Sequence, residues 1–216
     1  MTLQRENGSI IKTLFSLWVL CFFTGMIFHF RAVSSISTGL LLITGLACYK
    51  KKAVSLLFRS SLSPFLISCL LYFLYTVINL LLKDNTTVMR SQLEMKSALV
   101  LVPVALSFTG FVGSKQLKRL MQYFVLLLLA ACLYCLLIDV NTWIRTGQET
   151  IFFYHDLVSP LNQHAVFFSF LLFFSLLYIL EYGTGFNFLP GKKLDGILTV
   201  FFSLILVLLA SKLILF

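Results

Sequence analysis

The residues best suited to chemistry gather in the polar stretch 141–164, which holds Arg145, His155, Asp156 and His164. An arginine guanidinium can form two parallel hydrogen bonds to phosphate oxygens, and a histidine can donate or accept a proton near neutral pH. The stretch therefore predicts recognition of a polar, anionic substrate, with Arg145 and His164 as binding residues. A second interpretation stays open for His164, which could instead cap the helix that follows it.

Lys212 is the third candidate, because it is a cation near the end of an apolar run. An ammonium group there is costly unless it reaches the membrane surface or meets an anion. Lys212 therefore either binds a lipid-linked phosphate or simply extends to the interface. No metal site is predicted, because the spacing of His155, Asp156 and His164 fits no familiar ligand signature.

The five cysteines all lie inside apolar stretches, where a thiol behaves as a small hydrophobic side chain. Cys132 and Cys135 have the spacing of a redox motif, but nothing in the neighbouring sequence activates a thiolate. We therefore expect buried thiols and no disulfide framework.

The composition indicates which class of protein carries these candidate residues. Of the 216 residues, 59% are hydrophobic and 12% are charged, and the mean hydropathy is +0.97. Soluble domains carry about 25% charged residues, so this composition excludes a soluble enzyme, a disordered protein and a nucleic-acid-binding domain. Membrane topology accounts for the net charge of +9, so we expect a lipid bilayer and no nucleic acid as partner.

Seven apolar stretches approach the length of about 20 residues that crosses a hydrocarbon core. They do not alternate as the strands of a barrel would. The sequence therefore predicts an all-α, polytopic transmembrane helical bundle of about seven spans, as one domain covering residues 1–216. The predicted spans are 11–30, 33–49, 63–82, 97–113, 120–140, 162–182 and 196–216.

Lysine and arginine are distributed unevenly between the segments that join these spans. With a cytoplasmic N-terminus, the cytoplasmic segments hold eleven of them and the outer segments hold six. The positive-inside rule therefore places the N-terminus in the cytoplasm and the stretch 141–163 outside. The first apolar stretch lacks a clear cleavage site, so we expect it to be a retained helix. The span interiors hold almost no ionisable residues, which argues against a proton- or ion-driven transporter.

Local signals refine the limits of the spans. Ser91 and Glu94 match a capping box that begins the fourth span, Pro103 is expected to kink that span, and Pro160 is expected to mark the start of the sixth. The chain stops at Phe216 within an apolar run, and we expect it to be the N-terminal part of a longer protein.

Three stretches resemble the O-antigen ligase and Wzy-type O-antigen polymerase family. Residues 154–169, Tyr-His-Asp-Leu-Val-Ser-Pro-Leu-Asn-Gln-His-Ala-Val-Phe-Phe-Ser, are similar to the outer loop and following helix of that family, with His164 at the histidine of the turn. Residues 208–212, Leu-Leu-Ala-Ser-Lys, are similar to its Leu-x-x-Ser-Arg element, with lysine in place of arginine. Residues 94–103 are similar to its proline-kinked helix.

The resemblance implies a multi-pass glycosyltransferase of the bacterial inner membrane. Such enzymes take a saccharide from undecaprenyl diphosphate at the periplasmic face, without an essential metal, and build O-antigen, lipopolysaccharide or another surface polysaccharide. They either polymerise the saccharide or attach it to an acceptor such as lipid A-core. The resemblance also implies that Arg145, His164 and Lys212 line the approach to the diphosphate. The catalytic residues, including a loop histidine, are expected beyond residue 216, so this fragment alone is expected to be inactive.

Two alternatives come from other classes of protein. One is a small non-catalytic transporter or lipid-handling protein, and the other is a channel-like or scaffolding bundle. A transporter that works by alternating access gathers its polar residues near the membrane midplane. In this sequence the polar residues gather at the predicted outer ends of the spans, which favours the glycan-transferase hypothesis.

Overall fold

The computed structural model describes residues 2–47, 63–81, 100–105, 115–184 and 191–214. All regular elements in these ranges are helical, so the predicted all-α class is confirmed for the described part of the chain. Residues 100–105 are helical, and six longer α-helices are described: α1 (Thr2–Ile27), α2 (Arg31–Ala47), α3 (Ser63–Leu81), α4 (Lys115–Thr146), α5 (Ala165–Tyr182) and α6 (Gly191–Ile214).

The helices coincide with six of the predicted spans, and two of them have the length and apolar character needed to cross a membrane. These two are α4 and α5. Shorter apolar helices within the described ranges are Thr13–Ile27, Arg31–Ala47 and Leu70–Asn79. The predicted capping box at Ser91 and Glu94 lies outside the described residues, as does most of the predicted span 97–113.

The chain divides into two compact units, the first made of residues 1–22 and 31–117. One of its helices, α2, buries Ser37, Thr38, Leu41 and Gly45 along one face. The hydroxyls of Ser37 and Thr38 donate to the Ser34 carbonyl, so burial leaves neither polar group without a partner. Gly45 lies against residue Ala105, where a Cβ atom on residue 45 would approach the Ala105 carbonyl oxygen to 3.0 Å.

The second unit is made of residues 23–30 and 118–216, and α4, α5 and α6 form its core. The buried residues of α4 recur every three or four positions and therefore form one face of the helix. The apolar members of that face from Phe124 to Cys135, together with residues of α5 and α6, form one cluster. Its most deeply buried members include Val125, Leu128, Leu172 and Phe202.

Hydrogen bonds join the helices at one end of this core. This is the end at which α4 begins, α5 ends and α6 begins. Asp195 of α6 accepts the Thr184 N–H at 2.8 Å and also the Thr184 hydroxyl. The side-chain amide of Gln122 in α4 donates to the Thr184 carbonyl at 2.7 Å. Gly183 ends α5 with a φ of +64°, a conformation that L side chains rarely adopt. Thr184 therefore links α4 to α6 at this end.

The structure corrects the role expected of Pro160. The sequence placed Pro160 at the start of the span 162–182, but α5 begins only at Ala165. Pro160 lies inside a short 3-10 helix, Asp156–Leu161, which precedes α5. Asn162 then adopts a left-handed conformation with a φ of +52°, so the chain turns between Pro160 and α5.

Candidate functional site

Arg145 lies at the C-terminal end of α4, which extends six residues beyond the predicted span 120–140. The helix ends at Gly147, whose φ is +68° and whose N–H donates to the Trp143 carbonyl at 2.7 Å. Arg145 occupies the last helical turn, and its side chain is exposed. A cation at this position interacts favourably with the negative end of the helix dipole.

The residues that join α4 to α5, 147–164, form a compact connecting segment. It contains two short 3-10 helices, Glu149–Phe152 and Asp156–Leu161. Leu157, Val158 and Leu161 of the second are buried in the core cluster of the second unit. The connecting segment is therefore packed onto the helices by its own apolar side chains.

Three long-range hydrogen bonds attach the connecting segment to other helices. The Tyr154 N–H donates to the Leu208 carbonyl of α6 at 3.2 Å, with Tyr154 in a left-handed conformation at a φ of +56°. The Gln163 side-chain amide donates to the carbonyls of Met26 and Ile27, at 2.6 and 3.2 Å. These carbonyls belong to the last turn of α1, where helical carbonyls have no partner within the helix.

His155 and His164 lie together within the connecting segment. Their ring centroids are 4.5 Å apart in an edge-to-face arrangement, and the Tyr154 ring lies 4.1 Å from the His155 ring. His155 Nδ1 accepts the N–H of Ala165, the first residue of α5, at 3.4 Å. A neutral His155 in this arrangement carries its proton on Nε2, because Nδ1 must offer its lone pair.

The interpretation that the His164 side chain caps the following helix is wrong, because a different histidine makes that hydrogen bond. His164 occupies the N-cap position of α5, but its side chain makes no capping hydrogen bond. His155, ten residues before Ala165, supplies the acceptor instead. The His164 side chain is exposed, and capping does not use either of its ring nitrogens.

Asp139 is the residue that sequence reasoning missed. The predicted span 120–140 placed it at the outer rim, whereas α4 continues for two further turns and its side chain is only 2% exposed. Its Oδ2 atom is buried without a hydrogen-bond partner. Asp156 and Cys135 interact with it electrostatically. The sequence could have indicated that Asp139 is buried, because it lies four residues after Cys135 and therefore on the same, apolar face of α4.

Topology brings the backbone positions of all three predicted binding residues to one end of the second unit. Arg145 ends α4, His164 precedes α5, and Lys212 lies in the last turn of α6, whose Leu208 contacts the connecting segment. The Lys212 side chain is outside the described part of the structure. Within the described residues, no hydrogen bond or ion pair joins Arg145 to either histidine.

The described residues contain no group of three or more histidine, cysteine, aspartate or glutamate side chains able to hold a metal ion. Cys132 and Cys135 are buried free thiols of the core, as predicted. No protein-family model, curated protein or solved structure matches the chain.

Proposed function

We propose that this chain is a multi-pass membrane protein that handles an undecaprenyl-diphosphate-linked saccharide, as part of a glycan ligase or polymerase. In this proposal about seven helices cross a bacterial inner membrane with the N-terminus in the cytoplasm. The connecting segment lies at the periplasmic face, where surface polysaccharide such as O-antigen is assembled. The acceptor is lipid A-core or a growing polysaccharide, and no cofactor takes part.

One observation carries this proposal: two of the three stretches that resemble the family are in contact. Residues 154–169 and 208–212 are about 40 positions apart in the sequence, yet the Tyr154 N–H donates to the Leu208 carbonyl. Stretches that form one binding site must meet in the fold, whereas chance similarities have no reason to do so. The contact therefore supports treating them as parts of one site.

The chemistry proposed for this end of the bundle is recognition of a diphosphate by cations. Arg145 supplies a planar guanidinium that suits phosphate oxygens, and Lys212 supplies a point charge on the neighbouring helix. The His164 side chain is exposed and makes no capping hydrogen bond, so its ring nitrogens are available to the substrate. Stabilising the charge of a departing diphosphate is what glycosyl transfer from such a donor requires.

The direct test is binding of undecaprenyl diphosphate by the purified chain in lipid nanodiscs. A charge-assisted hydrogen bond contributes about 1.5–3 kcal/mol, so Arg145→Ala is expected to weaken binding by roughly tenfold to a hundredfold. His164→Ala and Lys212→Ala are expected to weaken it less. Lys193→Ala is the control, because Lys193 is an exposed cation at the opposite end of α6.

Equal affinities for Arg145→Ala, Lys193→Ala and the unaltered chain would refute this assignment of the binding site. The glycan-transferase proposal has a separate readout, the ladder of surface polysaccharide made by cells carrying the full-length gene. Loss of that ladder with normal protein levels in the Arg145→Ala and His164→Ala strains is the expected result. A normal ladder in both strains contradicts it.

Asp139 favours a second candidate, a non-catalytic transporter or lipid-handling protein. Ionisable groups buried within membrane helices often mark the path of a transported ion or proton. A chain of this kind, reconstituted in liposomes, moves protons or a lipid across the membrane in the absence of any glycan acceptor. Proton flux that disappears in Asp139→Asn would support this candidate over the glycan transferase.

A further inference from the structure

The buried carboxyl group of Asp139 has no role in the proposed binding of a diphosphate, and its surroundings are unusual for a carboxylate. Its Oδ2 atom is buried and receives no hydrogen bond, although the side chain is 98% shielded by the protein. Asp195 provides the contrast within the same unit, because it accepts two hydrogen bonds from Thr184. A buried carboxylate without donors or a paired cation is strongly disfavoured.

Within the described part of the chain, no group around Asp139 supplies a compensating positive charge. Asp156, from the second 3-10 helix, and Cys135, one turn earlier on α4, are the titratable groups that interact with it. The described core residues of α6 are apolar, and those of α5 are apolar apart from Ser175 and Tyr178. Arg145 follows six residues later, which at about 100° per residue places it on another face of the helix. His155 and His164 belong to the connecting segment, where they pack against each other.

A proton on the carboxyl group would neutralise it without any such partner. We propose that Asp139 carries a proton, and that loss of this proton releases the connecting segment from the helices. A negative charge on Asp139 repels the Asp156 carboxylate, which lies in the first turn of the second 3-10 helix. That helix holds Leu157, Val158 and Leu161 in the core, so repulsion at Asp156 acts directly on the packing of the segment.

The protonation state is measured by infrared spectroscopy of the purified chain in nanodiscs at neutral pH. The spectrum of the unaltered chain minus that of Asp139→Asn is expected to show the C=O stretch of a protonated carboxyl, shifted to lower frequency in D₂O. Asp156→Asn is the matched control and is expected to keep this band. If Asp139→Asn removes only carboxylate bands, Asp139 is ionised and the proposal is overturned.

Release of the segment is measured by amide hydrogen exchange of residues 156–163 as the pH is raised. After correction for the intrinsic effect of pH, exchange of the unaltered chain is expected to increase, while exchange of Asp139→Asn stays constant. Asp156→Asn tests the repulsion even if Asp139→Asn folds poorly, since it is expected to lose the pH effect while keeping the protonated-carboxyl band. An unchanged pH effect in Asp156→Asn would refute the repulsion mechanism.

Discussion

Gln163 provides the sharpest test of how the connecting segment is held. Its side-chain amide is 8% exposed and donates to the carbonyls of Met26 and Ile27, at 2.6 and 3.2 Å. Removing this donor leaves two helix-end carbonyls without a partner, and an unsatisfied buried polar group costs about 1–3 kcal/mol. We therefore expect Gln163→Ala to lower the free energy of unfolding by about 3 kcal/mol.

Gln163→Glu separates the hydrogen bonds from the volume of the side chain. Glutamate has nearly the same shape as glutamine, but its ionised carboxylate offers only acceptors to two carbonyl acceptors. It also places a negative charge at the C-terminal end of α1, where the helix dipole is negative. We expect a loss at least as large as that of Gln163→Ala at neutral pH. Part of the stability is expected to return at low pH, because a protonated glutamate regains one donor.

The assay is thermal and denaturant unfolding of the detergent-solubilised chain, followed by circular dichroism. Gln148→Glu is the matched control, because it makes the same chemical change in the same segment at an exposed residue. Surface substitutions of this kind change stability by about 0.5 kcal/mol or less. If Gln163→Glu and Gln148→Glu have the same stability at neutral pH, the hydrogen bonds from Gln163 to the end of α1 do not stabilise the fold, contrary to this prediction.

Two glycine substitutions test the packing of each unit separately. Gly183→Ala places a side chain at φ +64° and puts a Cβ atom 2.8 Å from Asp195 Oδ2. Strain in this backbone region costs about 1–3 kcal/mol. We therefore expect a loss of stability of this size, measured by thermal unfolding. Gly45→Ala puts a Cβ atom 3.0 Å from the Ala105 carbonyl oxygen, and overpacking of this kind costs about 1–3 kcal/mol. Gly39→Ala, on the same helix as Gly45 with open space around it, is expected to stabilise the chain by about 0.5–1 kcal/mol. A gain in stability from Gly45→Ala would contradict the close approach to Ala105.

The helices of this chain were predictable because their signal is strong and local. Long apolar runs predicted α4 and α5 and placed their limits within a few residues, apart from the C-terminal end of α4. That end was missed because Asp139, Asn141 and Arg145 lower the local hydropathy without breaking a helix. The actual stop is Gly147, where a left-handed conformation ends the hydrogen-bond ladder.

The candidate site was predictable in its residue types but not in its contacts. Arg145 and His164 stood out because polar residues are rare in this composition, and both lie at the end of the bundle where the connecting segment packs. The pairing of His155 with His164 was not predictable, because two 3-10 helices and a left-handed Asn162 set the separation of these rings. Residue spacing in an irregular segment does not give distances.

Sequence patterns alone predicted the helical class of the described residues, the approximate limits of most helices and the burial of Cys132 and Cys135. These follow from hydropathy and periodicity, which act over neighbouring residues. The packing of the helices, by contrast, brings Tyr154 to Leu208, places Gln163 against the end of α1 and encloses Asp139 with no hydrogen-bond donor to its Oδ2 atom. These are contacts between residues distant in the chain or consequences of enclosure by other elements, and only the packing of the helices determines them.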